Sequence, residues 1–183
     1  MTVLSVDDFL VARRATVDFS AILTSEVPLL AKCLESLHVQ QRALISDKAL
    51  VAEQSGDNWH DGAFNATDSA ARTVSAQAEH LHKLLKLPRL TPPDPREPRV
   101  TVGSLVTFTQ GSQVSKLLLV GSVNIYVDDL GHNLCSVGSP ISQALIGLIS
   151  GDTSSFRVEV LRIIQVDQGS LKTLLDHNLA AMA

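Results

Sequence analysis

The sequence predicts an α+β protein, an N-terminal antiparallel coiled-coil hairpin followed by an antiparallel sheet with one short helix. Three observations carry this prediction. Apolar residues recur at heptad spacing in two stretches before residue 87, which is the seam pattern of paired helices. Five of the seven prolines (Pro88, Pro92, Pro93, Pro95 and Pro98) then crowd into "LPRLTPPDPREPRV", where neither a helix nor a central strand can continue. Beyond that point the Ala, Leu, Glu, Gln and Lys of the first half give way to Val, Ile, Thr and Phe with turn glycines.

Residues 1–24 hold a short helix. In "SVDDFLVARRATVDF", Ser5 is an N-cap with Asp8 three residues on, and Val6, Phe9, Leu10, Arg13 and Val17 lie near one face. Residues 25–87 form the hairpin. Its first helix starts at Ser25, with Glu26 and Pro28 in the first turn, and carries Leu30, Leu37, Leu44 and Val51 at intervals of seven. The second helix repeats Phe64, Ala71, Ala78 and Leu85, with Val74 and Leu81 three residues after two of them. Joined by a short bend, the two must run antiparallel. A helical pair lying flat on a globular core is the competing arrangement; the small alanines and narrow seams argue against it.

Residues 88–99 read as a proline-rich linker, and residues 100–168 as the sheet domain. "VGSLVTFTQ", "SKLLLVGSVNIYV" and "SSFRVEVLRIIQV" are strands and "HNLCSVGS" a short one. "SPISQALIGLISGD" is a helix with Ser139 as N-cap and Pro140 at its first position. The last strand contains no turn residue, so it is expected to run unbroken. Residues 169–183 form a covering helix on Leu171, Leu174, Leu175, Leu179 and Met182, with a dimer contact as the second reading.

Composition excludes several function classes. The formal net charge of -4 gives no basic excess to neutralise phosphates, which disfavours direct binding to duplex DNA. Asp7 and Asp8 interrupt the apolar run a signal peptide would need, and no 18 apolar residues stand in series, so a soluble cytoplasmic protein without membrane contact is expected. Cys33 and Cys135 are too far apart for a metal or redox motif and read as reduced packing residues. His80 and His82, two apart on a helix, point to different sides, which argues against a zinc site.

"VGSLVTF", "LLLVGS" and above all "CSVGSPISQALIGLISGD" resemble the C-terminal, FKBP-like domain of the bacterial Gre transcript-cleavage factors (GreA/GreB-like). "AEQSGDNWHDGAFNATDSAARTVSAQAEHLHKLL" is similar to the stretch of that family that turns the tip of its coiled-coil hairpin. The resemblance spans about residues 25–168, in family order. It implies an FKBP-like sheet domain and a bacterial RNA polymerase partner, with the hairpin inserted in the polymerase secondary channel. It also implies an accessory role rather than an enzyme's, with no cofactor bound alone. Acidic tip residues would share a Mg²⁺ with the polymerase, which then cleaves backtracked RNA, so that contact with the nascent RNA 3′ end is indirect.

The family tip reads Gly, acidic, two variable residues, acidic. Here Gly56 and Asp57 match, whereas His60 occupies the second acidic position and Asp61 follows one residue late. Asp57 is the implied ligand of the shared Mg²⁺, with Asp61 and His60 as assisting residues; Mg²⁺ takes one or two carboxylates, the rest water or phosphate. Both aspartates also suit a plain reading as solvated turn or capping residues. Trp59 at a polar bend is a candidate partner contact, as are Ser139, Pro140 and Ile141 of the family-like motif. Phe64 lies on the seam and reads as packing. Three functions remain: cleavage stimulation, a channel-binding regulator that modulates or inhibits without cleavage, and a prolyl isomerase built on Tyr126, Phe108 and Phe156.

Overall fold

The computed structural model describes residues 3–15, 21–55, 62–126 and 128–182. The chain divides into two compact units, Met1–Leu29 with Leu87–Ala183, and Leu30–Lys86. The α+β class is borne out. Among the described residues, no helix is long and apolar enough to cross a membrane.

The first unit opens with β1 (Val3–Leu4) and α1 (Val6–Ala15). Ser5 caps α1: its Oγ accepts from the Asp8 amide at 3.1 Å, while the Asp8 carboxylate accepts from the Ser5 amide and hydroxyl. Those bonds from Ser5 hold the Asp8 carboxyl below its ordinary range. β2 (Ile22–Leu23) follows, then a single 3₁₀ turn over Thr24–Glu26.

Residues 88–99, expected as a linker, are integrated into this unit. β3 (Arg89–Leu90) is the centre of a parallel three-stranded sheet in the order β1-β3-β2, with both its residues buried. Pro88 stands just ahead of the strand, where its missing N–H costs the ladder nothing, and its carbonyl accepts from the Ile22 amide. Farther on, Arg99 grips Glu97 in a two-pronged ion pair at 2.6 and 2.9 Å and reaches Asp7 at 2.6 Å. The Gln168 amide donates to the carbonyls of both Glu97 and Arg99.

The main sheet contains β4 (Leu105–Gln110), β5 (Gln113–Val120), β6 (Leu134–Ser136), β7 (Thr153–Phe156) and β8 (Glu159–Asp167), in the order β6-β5-β4-β8-β7. Its pairs are antiparallel except β5 with β6, which is parallel. Alternation puts Val106, Phe108, Leu161 and Ile163 on one face, where they form a core with Val100, Leu119 and Leu145. Leu145 belongs to α4 (Pro140–Leu145), whose cap is Ser139 and whose first residue is Pro140, as its sequence predicts.

The last strand is broken, contrary to expectation. Phe156 pairs with Glu159 across a two-residue turn in which Arg157 takes φ 56° and Val158 stands 99% exposed. A left-handed non-glycine residue costs about 1 kcal/mol or more, offset here by the β7–β8 ladder it permits. α5 (Ser170–Ala181) buries Leu171, Leu174, Leu175 and Asn178. Asn178 pins the loop before β6 by accepting from the Asp128 amide and donating to the Asp128 carbonyl.

The second unit is the hairpin: α2 (Val27–Ser55), which begins in the first unit, and α3 (Gly62–Lys86). At 1.5 Å per residue the helices are roughly 43 and 38 Å long. Gln41 bonds Ser75 and Lys48 bonds Asp68, so each step up α2 matches a step down α3 and the pair is antiparallel. Leu30, Leu37, Leu44 and Val51 are buried or half-buried on α2, and so are Phe64, Ala71, Val74, Ala78, Leu81 and Leu85 on α3. Between the α2 heptad positions lie Leu34, Gln41 and Lys48, completing the alternate three-and-four spacing of a coiled-coil seam.

Candidate functional site

Asp57, Trp59, His60 and Asp61 lie outside the described residues. They belong to the six residues that join Ser55, the end of α2, to Gly62, the start of α3. What the structure describes is the support on which that junction is carried.

Seven residues before the end of α2, about 10 Å along the axis, the seam becomes ionic. Lys48 Nζ lies 2.5 Å from Asp68 Oδ1, and Arg72 Nε lies 2.8 Å from Asp68 Oδ2, one helical turn farther along α3. The same ammonium sits 4.9 Å over the ring of Phe64. One lysine therefore ties the two helices at Asp68 and covers the Phe64 ring in the first turn of α3. The hydrogen bond from Lys48, then the charges of Arg72 and Lys48, hold the Asp68 carboxyl below its ordinary range against the pull of desolvation. A polar rung at a seam position fixes register where apolar residues alone would let the helices slide. The clamp is not announced in the sequence beyond the Asp68–Arg72 spacing of four.

Nearer the open end of the hairpin, Gln41 Nε2 donates to Ser75 Oγ at 3.0 Å, and Ser75 in turn donates to the Ala71 carbonyl. Leu30, Leu34, Ala78, Leu81 and Leu84 are buried there. Burial thus declines and polar pairing rises towards the bend. Among the described residues, no group of three or more His, Cys, Asp or Glu is placed to hold a metal ion.

Ser139, Pro140 and Ile141 sit together at the start of α4 in the first unit. The Ser139 hydroxyl accepts from the Ser142 amide at 3.3 Å and shares hydrogen bonds with Ser142 Oγ and Cys135 Sγ. Ile141 packs against the main core, and Pro140 is exposed. Of the three, Pro140 offers a free surface; the other two shape it.

The first unit also holds a buried carboxyl group. Glu26, 0% exposed, accepts from the Leu23 amide at 3.0 Å, the Gly121 amide at 2.9 Å and the Tyr126 hydroxyl at 2.9 Å. Burial pushes its pKa up, and the three donors pull it back. The Tyr126 phenol is in turn driven above its ordinary range by burial and by Glu26. Gly121 permits this approach: a Cβ there would meet Glu26 Oε2 at 2.7 Å and Ile22 Cγ2 at 2.8 Å. Glu26 ties the start of α2 to the end of β5. The same contacts weaken the isomerase reading, because Tyr126 is committed to Glu26 and Phe108, 1% exposed, lies in the core.

No family model matches the chain, and no curated protein sequence matches it. Among solved structures, it is similar to GreA factor homolog 1 (Gfh1) of Thermus thermophilus, 17% identical over 80% of this chain and 97% of that one, at a TM-score of 0.39. Gfh1 of Thermus aquaticus is also 17% identical, over 82% and 99% of the two chains, at 0.39. A prokaryotic transcription elongation factor GreA/GreB from Nitrosomonas europaea is 26% identical over 49% and 78%, at 0.34.

Proposed function

We propose that this chain is a Gre-type transcription elongation factor that binds bacterial RNA polymerase, inserts its hairpin in the secondary channel and stimulates cleavage of backtracked RNA. The observation that supports this most is the placing of Asp57, His60 and Asp61 on the short junction of two long antiparallel helices, in a chain whose second half carries the family-like motif around Ser139. A narrow two-helix support, locked in register by Lys48, Asp68 and Arg72, can carry charge to a metal inside another protein.

In this reading the chain acts as an accessory, and the polymerase remains the catalyst. Asp57 supplies a hard oxygen to a second Mg²⁺ in the polymerase, and such an ion steadies the attacking and leaving oxygens of an in-line displacement. Asp61, four residues from Asp57, assists, and His60 orients water or a phosphate oxygen. Trp59 presses on the channel wall, and the surface at Pro140 contributes to docking. The RNA 3′ end is reached only through the polymerase.

The His60 substitution supports a second reading, a channel-binding regulator that modulates or inhibits polymerase without stimulating cleavage. Both readings require the same partner. The first test is co-elution of the full chain with polymerase core on size exclusion. A stable complex is expected, and separate elution at concentrations far above those of a working factor would defeat both readings.

A further inference from the structure

The two helices of the hairpin bring His38 of α2 and His82 of α3 close together, with ring centroids 5.7 Å apart and planes tilted by 40°. Both side chains are exposed, and among the described residues neither imidazole has a hydrogen-bond partner. We propose that His38 and His82 form a two-imidazole site for a divalent transition-metal ion, Zn²⁺ or Cu²⁺, that staples α2 to α3 near the open end of the hairpin.

The separation suits chelation. A metal about 2 Å from one nitrogen of each ring places the two centroids roughly 5 to 6.5 Å apart, depending on the angle at the metal, and the observed distance falls within that span. Neutral imidazole offers one lone pair per ring and suits Zn²⁺ and Cu²⁺; Mg²⁺ prefers oxygen and is not a candidate. Exposure lets water fill the remaining positions. Two of the neighbouring charges are engaged elsewhere: Glu79 is drawn to Lys83 at 2.8 Å, and Arg42 donates to the His38 carbonyl. His80, two residues before His82, stands on another side of α3. The sequence conceals the site because its two ligands lie on different helices and meet only through the antiparallel register.

Bound metal favours the paired helices by a factor of one plus the ratio of free ion to Kd, about a hundredfold at a hundred times Kd.

The test titrates the full, chelator-stripped chain with ZnCl₂ and with CuCl₂ by calorimetry, alongside His38→Ala, His82→Ala and His80→Ala, each checked for native helicity. The unaltered chain and His80→Ala should bind one equivalent that both other variants lack. Thermal melting followed at a helical wavelength should rise with either metal in the same two proteins, and MgCl₂ should move none. The proposal is overturned if the unaltered chain binds neither metal, if His38→Ala or His82→Ala binds as many equivalents as it does, or if His80→Ala loses the same equivalent.

Discussion

Replacing Glu26 by glutamine probes the junction between the start of α2 and the sheet, and its effect is expected to depend on pH. Protonated Glu26 can satisfy all its neighbours: Oε2 accepts from Leu23, while Oε1 accepts from Gly121 and donates to Tyr126 once that hydroxyl turns. An amide cannot. With its nitrogen at either position, one backbone N–H, that of Leu23 or of Gly121, faces another donor inside the fold. An orphaned buried donor costs about 1–3 kcal/mol, so Glu26→Gln should be less stable than the unaltered protein by roughly that amount at acid pH. A carboxyl whose folded pKa is raised binds its proton more tightly in the native state. Stability of the unaltered protein therefore falls as pH rises from the ordinary value of 4.5 towards the folded one. Glutamine has no such dependence, and the deficit of the variant should shrink across that window by at most about 1.4 kcal/mol per pH unit. Urea unfolding followed by near-ultraviolet circular dichroism, to which Tyr126 contributes as the only tyrosine, measures both proteins at each pH. A deficit that widens with rising pH would show instead that the three donors outweigh burial and hold Glu26 ionised.

Gly121→Ala should cost about 1–3 kcal/mol by overpacking, because its Cβ would fall within 3 Å of Glu26 and Ile22; an unchanged urea midpoint would show that the contact relaxes freely. Asp68→Asn should speed amide hydrogen exchange near the bend ends of α2 and α3 and leave the Leu30 and Leu81 end unchanged. In the unaltered protein the clamp should be full above pH 3.8 and fail as pH falls through the lower folded pKa of Asp68; uniform exchange along the hairpin in both proteins would discount it. His60→Glu gives a Gre-type acidic spacing and, under the proposed function, should raise RNA cleavage, because Mg²⁺ prefers a carboxylate oxygen to an imidazole nitrogen; lower activity would assign His60 a role of its own.

The heptad seam was legible because Leu30, Leu37, Leu44 and Val51 repeat without interruption. The alternate positions were not, since Gln41 and Lys48 are polar and gain meaning only opposite Ser75 and Asp68. Ser139 and Pro140 announced α4 because caps are local. The β7–β8 turn gave no signal: Arg157 and Val158 are neither glycine nor asparagine, and the ladder holds Arg157 in a conformation its side chain disfavours. β3 was hidden among prolines, two residues long and paired with strands distant in sequence. Glu26 looked like a first-turn helical acid; its bonds to Gly121 and Tyr126 exist only in the folded chain. In the candidate site, Asp57 and the His60 departure are legible in the motif, whereas the Lys48 clamp exists only once the helices are in register.

The proposed function requires a carboxylate on the hairpin junction to serve the chemistry of another protein's active site. The direct measurement is shortening of labelled RNA in stalled, backtracked polymerase complexes, with Mg²⁺ present and this chain added, beside a binding measurement on the same samples. The unaltered chain should shorten the RNA, and Asp57→Asn, which keeps shape but removes charge, should bind equally and shorten it at least tenfold more slowly, in line with the loss of about 1.4 kcal/mol or more from the transition state. Binding without shortening at any Mg²⁺ concentration, or cleavage undiminished in Asp57→Asn, would contradict that requirement.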